Sequence, residues 1–204
     1  MESLSQLALA GGLAWASGIR LYATIFIVGL LARLGYLSLP DQLVVLQHTW
    51  VLTAAGIMVL GEFFADKVPG FDSLWDAVHT FIRIPAGAFL AWGAMGDATP
   101  AAQMTAAILG GLITGGTHLA KSGGRAVINT SPEPVSNWAA SFTEEAVVLG
   151  GIWLAFAYPW LFLVLLVAFL LLAAWLLPKL WRFMKRLWIA LSFPREPPKA
   201  LPRA

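Results

Sequence analysis

Glu62, Asp66, Lys67, Asp72, Asp76, His79 and Arg83 crowd one short stretch of a chain that is only 12% charged and 59% hydrophobic. Acids, bases and an imidazole at this density can exchange protons, hold a small ion or neutralise one another. Four of them, Glu62, Asp66, Asp72 and Asp76, also form the kind of carboxylate set that suits Mg²⁺ or Mn²⁺. The Asp66-Lys67 adjacency and the nearby bases favour internal neutralisation over metal. No cofactor is therefore expected, with Mg²⁺ or Mn²⁺ as the alternative. Apolar runs long enough to cross a bilayer lie on either side. A charge at the centre of a membrane helix costs about 2.5–3.5 kcal/mol on insertion scales. Ionisable groups kept at that depth mark a functional site by default.

Helical spacing turns these residues into faces. Glu62 and Asp66 are four apart and share one face at the end of a helix. Asp72, Asp76, His79 and Arg83 fall on one face of the next helix. His118, Lys121 and Arg125 form a basic stripe on a fourth helix, and Glu144 and Glu145 lie within a fifth, near Asn137 and Ser141. Arg20 sits well inside the first apolar run. Facing lipid would be too costly, so the stripes should converge on a common interior. Acids and bases are roughly matched, which leaves two readings open. One is an ion-pair network that pins helix packing. The other is a hydrated cavity open to the cytoplasm. Buried ion pairs add little net stability over apolar packing, so this heavy a load of charge favours the cavity.

The elements that position these groups are membrane helices. Soluble domains are about 45–50% apolar and about 25% charged, and this chain of 204 residues lies far outside both ranges, with a mean hydropathy of +0.76. Ten Trp and twelve Phe suit interfacial belts and lipid-facing packing. The absence of Cys excludes disulfides, thiolate metal sites and Cys nucleophiles. Met1, Glu2 and Ser3 lack a basic leader, so the N-terminal segment is expected to be retained. The fold expected is an all-α, polytopic transmembrane helix bundle of about six spans. The apolar runs are Leu7–Leu34, Trp50–Ala65, Leu74–Met95, Ala102–Ala120, Trp138–Tyr158 and Pro159–Leu177. The first is long enough for one span plus an interfacial piece. Leu39-Pro40-Asp41, Val68-Pro69-Gly70, Thr99-Pro100 and Ser131-Pro132-Glu133-Pro134 punctuate them.

Lys and Arg set the orientation. Lys179, Arg182, Lys185, Arg186, Arg195, Lys199 and Arg203 follow the last apolar run, and the positive-inside rule puts them in the cytoplasm. An even span count then places both termini inside, together with Lys67, Lys121 and Arg125. The chain divides into a transmembrane domain over 1–178 and a basic tail over 179–204. In the tail, Leu180, Phe183, Met184, Leu187 and Leu191 share one helical face opposite Lys179, Arg182, Lys185 and Arg186. That pattern reads as an amphipathic helix on anionic lipid, with a disordered end from Arg195. No nucleic-acid role is expected, because the basic residues read as a membrane-surface feature.

Glycines add a second pattern. Gly11-Gly12 and Ser17-Gly18 flank the approach to Arg20, and Gly110-Gly111, Gly115-Gly116 and Gly123-Gly124 punctuate the fourth helix. They serve either close helix packing or broken helices whose free backbone groups line a site. A shared spacing of Pro69, Ser73 and Trp75 with Pro132, Ser136 and Trp138 suggests an internal hairpin duplication.

The run G-E-F-F-A-D-K-V-P-G-F-D-S-L-W-D-A-V-H-T-F-I-R (61–83) and the run H-L-A-K-S-G-G-R-A-V-I-N-T-S-P-E-P-V-S-N (118–137) are distinctive. With S-G-I-R-L-Y (17–22) and Glu144-Glu145, they resemble a family of bacterial integral membrane proteins, the DUF4126 family. The resemblance implies a multi-pass protein of the bacterial inner membrane. It marks the charged stripes, with Asn129 and Asn137, as the residues of interest, and it transfers no reaction. The family pattern often has another residue where His79 stands. Three functions remain. A translocator (transporter, channel or lipid flippase) would use Arg20, Lys121 and Arg125 for a phosphate or carboxylate. Asp66, Asp72, Asp76 and Glu145 would then carry coupling ions. A membrane-embedded enzyme would act on a lipid or isoprenoid, although no zincin, P-loop or Ser-triad motif is present. A structural or assembly component is the third. The expected partners are membrane lipids, an anionic or ionic solute and a second copy of the chain.

Overall fold

The computed structural model describes residues 2–68, 70–130 and 134–192. It is all-helical over these residues: α1 (Glu2–Arg33), a short 3-10 helix (Asp41–Gln47), α2 (Thr49–Ala65), α3 (Phe71–Ala94), α4 (Pro100–Ile128), α5 (Pro134–Ala157) and α6 (Pro159–Ser192). Local chemistry sets the ends. Thr99 accepts the Ala102 N–H at 3.3 Å, and Pro100 opens α4 where a missing N–H costs nothing. Pro134 and Pro159 open α5 and α6 in the same way. Gly70 leads into α3 with φ +82°, a left-handed conformation that favours glycine.

Helix α1 is the axis of the molecule and packs against each of the other five α-helices. Ala8, Leu13, Ala14, Ala16, Leu21 and Val28 are all buried, as befits a helix that is apolar all round. Small residues bring it close to α4. A Cβ on Gly18 would lie 2.6 Å from the Thr114 carbonyl oxygen, and Thr114 Oγ1 donates to the Ala14 carbonyl at 2.8 Å. Gly18→Ala is expected to destabilise the fold by about 1–3 kcal/mol through overpacking against a backbone that cannot step aside. Thermal unfolding in detergent measures it, and an unchanged midpoint would show the α1–α4 contact to be looser than this.

The first apolar run does not divide into a span and an interfacial piece. It forms one buried helix interrupted at Arg20, whose φ of −142° and ψ of 80° are extended. No proline causes the break. The carbonyls of Gly18 and Ile19 instead turn to side chains of α3 and α4. Helix α4, for all its glycines, is continuous.

Three helical segments are long and apolar enough to cross a membrane: Ser3–Arg33, Val135–Ala157 and Pro159–Phe183. A fourth arises if the 3-10 helix and α2, bent by 64°, are taken together. Helices α3 and α4 fall short because buried ionisable residues lower their hydropathy. For the same reason α4 runs on to Ile128, beyond the apolar run that ends at Ala120. Helix α6 continues through Pro178 to Ser192, with Lys179, Arg182, Lys185 and Arg186 exposed. On the expected apolar face of that basic segment Leu180 is half-buried and Phe183 exposed. The side chains of Met184, Leu187 and Leu191 lie outside the described residues, as do Pro69, Ser131-Pro132-Glu133 and the whole of 193–204.

The two hairpins α2–α3 and α4–α5 match in register. Ala65 and Ile128 each end a helix four residues before the shared proline position, and Phe71 and Pro134 each start one two residues after it. Asp66 and Asn129 cap the first helix of each pair with nearly the same backbone, φ −67° and ψ −10° against φ −69° and ψ −5°. Within each hairpin the two helices make only slight contact, and α1 touches all four of them.

Candidate functional site

The hairpin ends and the break in α1 gather the charged stripes into one network. Asp66 Oδ2 meets three cations: Arg20 Nη2 at 2.9 Å, Lys121 Nζ at 3.2 Å and Arg125 Nη2 at 3.5 Å. Arg125 grips Glu144 through a two-pronged pair, Nε to Oε1 at 2.8 Å and Nη2 to Oε2 at 3.0 Å. Its Nη1 donates to the carbonyls of Asp66 (2.9 Å) and Asn137 (3.1 Å). Arg20 also donates to Ser141 Oγ at 2.8 Å and lies 3.5 Å from Glu144 and 3.6 Å from Glu145.

A second knot surrounds Arg83. It pairs directly with Glu62, stands 3.3 Å from Asp76 and donates to the Ile19 carbonyl at 3.3 Å. Lys121 bridges the knots, 3.2 Å from Asp66, 3.6 Å from Asp76 and 4.0 Å from Glu62. It also donates to the Ile19 carbonyl at 3.2 Å. His118 Nδ1 lies 3.1 Å from Arg83 Nη1. A guanidinium cannot accept a hydrogen bond, so Nδ1 accepts and the ring proton sits on Nε2. That nitrogen donates to Thr80 Oγ1 at 2.7 Å, and Thr80 donates to the Asp76 carbonyl at 2.8 Å. His118 is therefore neutral in this arrangement.

Two expected members stand apart. Asp72 makes no ion pair among the described residues. It accepts backbone N–H groups of Gly70 (3.0 Å) and Ser73 (2.6 Å) and the amide of Asn129 (2.8 Å). Asn129 in turn accepts from Asn137 at 2.8 Å, so these three close the loop end beneath Arg125. His79 Nδ1 donates to the Trp75 carbonyl at 2.8 Å, and its ring stacks on Trp75 with centroids 4.1 Å apart. It also forms no ion pair among the described residues. Thr80, which links His118 to Asp76, escaped the sequence reading. Its signal was there: it lies four residues after Asp76 on the same stripe.

Arg20, Glu62, Asp66, Asp76, Arg83 and Arg125 are no more than 2% exposed. The network is closed around them, and only Lys67, Glu144 and Glu145 reach the surface. Several polar atoms inside it have no hydrogen-bond partner among the described residues: both Asp76 oxygens, Glu62 Oε2, Asp66 Oδ1, Arg20 Nε and Arg83 Nε. Buried polar atoms are nearly always paired, so a cluster of exceptions calls for explanation. Charge is also unbalanced. Six carboxylates, Glu62, Asp66, Asp72, Asp76, Glu144 and Glu145, stand with five cations, Arg20, Lys67, Arg83, Lys121 and Arg125. The formal count of these acids and bases leaves one negative charge over.

Among the described residues no three His, Asp or Glu side chains are grouped to hold a metal ion, and Glu62, Asp66 and Asp76 each face Arg or Lys instead. The profile of a family described as Domain of unknown function (DUF4126) matches residues 7–179. The chain belongs to the DUF4126 family. No curated protein and no solved structure matches it. The family match takes in the whole charged network of this DUF4126 chain, from Arg20 to Glu145, and ends at Lys179. Its apolar helices make it a helical membrane protein.

Proposed function

We propose that the chain is a multi-pass translocator of the bacterial inner membrane, with about six spans and both termini cytoplasmic, whose coupling site is the buried network and whose coupling ion is a proton or small cation. One observation carries the reading. Buried oxygens of Asp76, Glu62 and Asp66 accept no hydrogen bond among the described residues, in a network that includes the break in α1 and carries one formal negative charge in excess. Discontinuous membrane helices beside carboxylates are the usual setting of ion-coupled sites in transporters. The register-matched hairpins support it, because repeats related by an axis along the membrane normal are a common transporter plan. The same geometry argues against a bare anion site at Arg20, Lys121 and Arg125, since each already faces a carboxylate.

The test is reconstitution in liposomes with a pH-sensitive dye and a screen of ions, amino acids and lipid phosphates. Asp76→Asn is expected to reduce flux at least tenfold while leaving the unfolding midpoint within a few degrees. If no flux appears, and Asp76→Asn and Arg125→Ala alter thermal stability alone, the reading fails. The specific observation on the other side is the two-pronged Arg125–Glu144 pair, which would equally serve a structural membrane component. Co-purification with a defined partner and tolerance of Asp76→Asn would favour that alternative.

A further inference from the structure

Lys67 is the one network base that makes no ion pair among the described residues. Its ammonium instead lies 2.9 Å from the centroid of Phe63, 4.8 Å from Phe142 and 5.9 Å from Trp138. Phe63 is on α2, Trp138 and Phe142 are on α5, and Lys67 follows the end of α2. Three aromatic faces around a cation form the box that proteins use to recognise ammonium groups. Here the chain's own side chain fills it.

The box stands at the entrance to the network. Lys67 Nζ donates to Ser141 Oγ at 3.4 Å, and Arg20 donates to the same oxygen at 2.8 Å. Glu145 lies 3.6 Å from Arg20 and is 31% exposed, so a carboxylate waits beside the route inward. The seam is also open: α2 and α5 have little direct contact, whereas α3 and α4 pack closely. Phe142 and Trp138 are both about half exposed. Burial pushes the Lys67 ammonium below the ordinary lysine range, with Glu145 opposing that shift. The charged head is held where it sits by rings, by the Phe63 carbonyl at 3.3 Å and by a hydroxyl rather than by a carboxylate.

We propose that Phe63, Phe142 and Trp138 form a binding site for an organic cation, a primary amine or quaternary ammonium, which Lys67 occupies in the resting state and which the ligand takes by displacing it. Displacement frees one lone pair of Ser141 and leaves the hydrogen bond from Arg20 in place. Glu145 then faces the ligand's charge in place of that of Lys67. As a substrate site this rests on the translocator reading, but as a binding site it stands without it.

The experiment measures binding of tetramethylammonium and of n-butylammonium to the purified full-length protein in nanodiscs, by calorimetry at constant ionic strength with sodium as the control. Wild type is expected to bind weakly. Lys67→Met, which keeps the side-chain length and removes the tethered charge, is expected to bind at least tenfold more tightly. Lys67→Arg, which keeps the plug, should show no gain. Adding Phe142→Leu or Trp138→Leu to Lys67→Met should abolish the gain. The proposal is overturned if Lys67→Met shows no saturable binding, or if its binding survives loss of the rings. Thermal unfolding confirms that each variant is folded. Liposome flux of Asp76→Asn is read separately, so failure of the box and failure of the translocator are distinguishable.

Discussion

Arg83→Met is expected to destabilise the protein by about 3–5 kcal/mol, the range for breaking a buried ion pair from one side. Arg83 is fully buried, and its loss strands Glu62 without its direct partner and deprives Asp76 of one of its two nearby cations. It also leaves the Gly18 carbonyl without the donor from α3 and weakens the hold on Ile19. The double variant Glu62→Leu with Arg83→Leu removes both charges and should recover most of the loss, because paired buried charges gain little over apolar packing. Unfolding in detergent, read as a double-mutant cycle, tests this. A single Arg83→Met variant as stable as wild type would mean that the pair contributes nothing to holding α3 against α2.

Asp66→Asn should have the larger effect on activity. Asp66 is the carboxylate that Arg20, Lys121 and Arg125 share through one oxygen. Replacing it leaves those three cations facing each other with Glu144 as their nearest common acid. Ion flux in liposomes is expected to fall at least tenfold, and the unfolding midpoint is expected to become sensitive to chloride, which can screen or replace the lost charge. Asp66→Glu should restore part of both properties. If Asp66→Asn transports as wild type does and ignores chloride, the hub role assigned to Asp66 is wrong.

Much of this arrangement is visible in residue spacing. The α3 stripe Asp72, Asp76, His79 and Arg83 is buried, and α4 turns His118, Lys121 and Arg125 inward as well. Prolines mark where α4, α5 and α6 begin. What spacing cannot show is partnership. His79 shares the stripe yet bonds its own helix through Trp75, because an aromatic neighbour four residues back is nearer than any carboxylate. Asp72 shares it too, but at the first turn of α3 it meets unpaired N–H groups and the Asn129 amide before it can reach a base. The break at Arg20 had no local signal beyond Gly18. It follows from two distant cations drawing carbonyls out of a helix. Hydropathy ended α4 early for a related reason: it scores each residue against lipid, whereas Lys121 and Arg125 meet only protein.

The placement of Arg20 on the axial helix has a consequence for how the chain is made. Every acid that neutralises it is encoded later, at Asp66, Glu144 and Glu145. A ribosome feeding this protein into a bilayer therefore releases the first helix with an arginine whose first counter-ion, Asp66, is made 46 residues later. At about 2.5–3.5 kcal/mol for a central arginine, that helix must wait beside the insertion machinery or float shallow. Asp66 arrives with the first hairpin, and Glu144 and Glu145 complete the set of acids around Arg20 only when α5 is made.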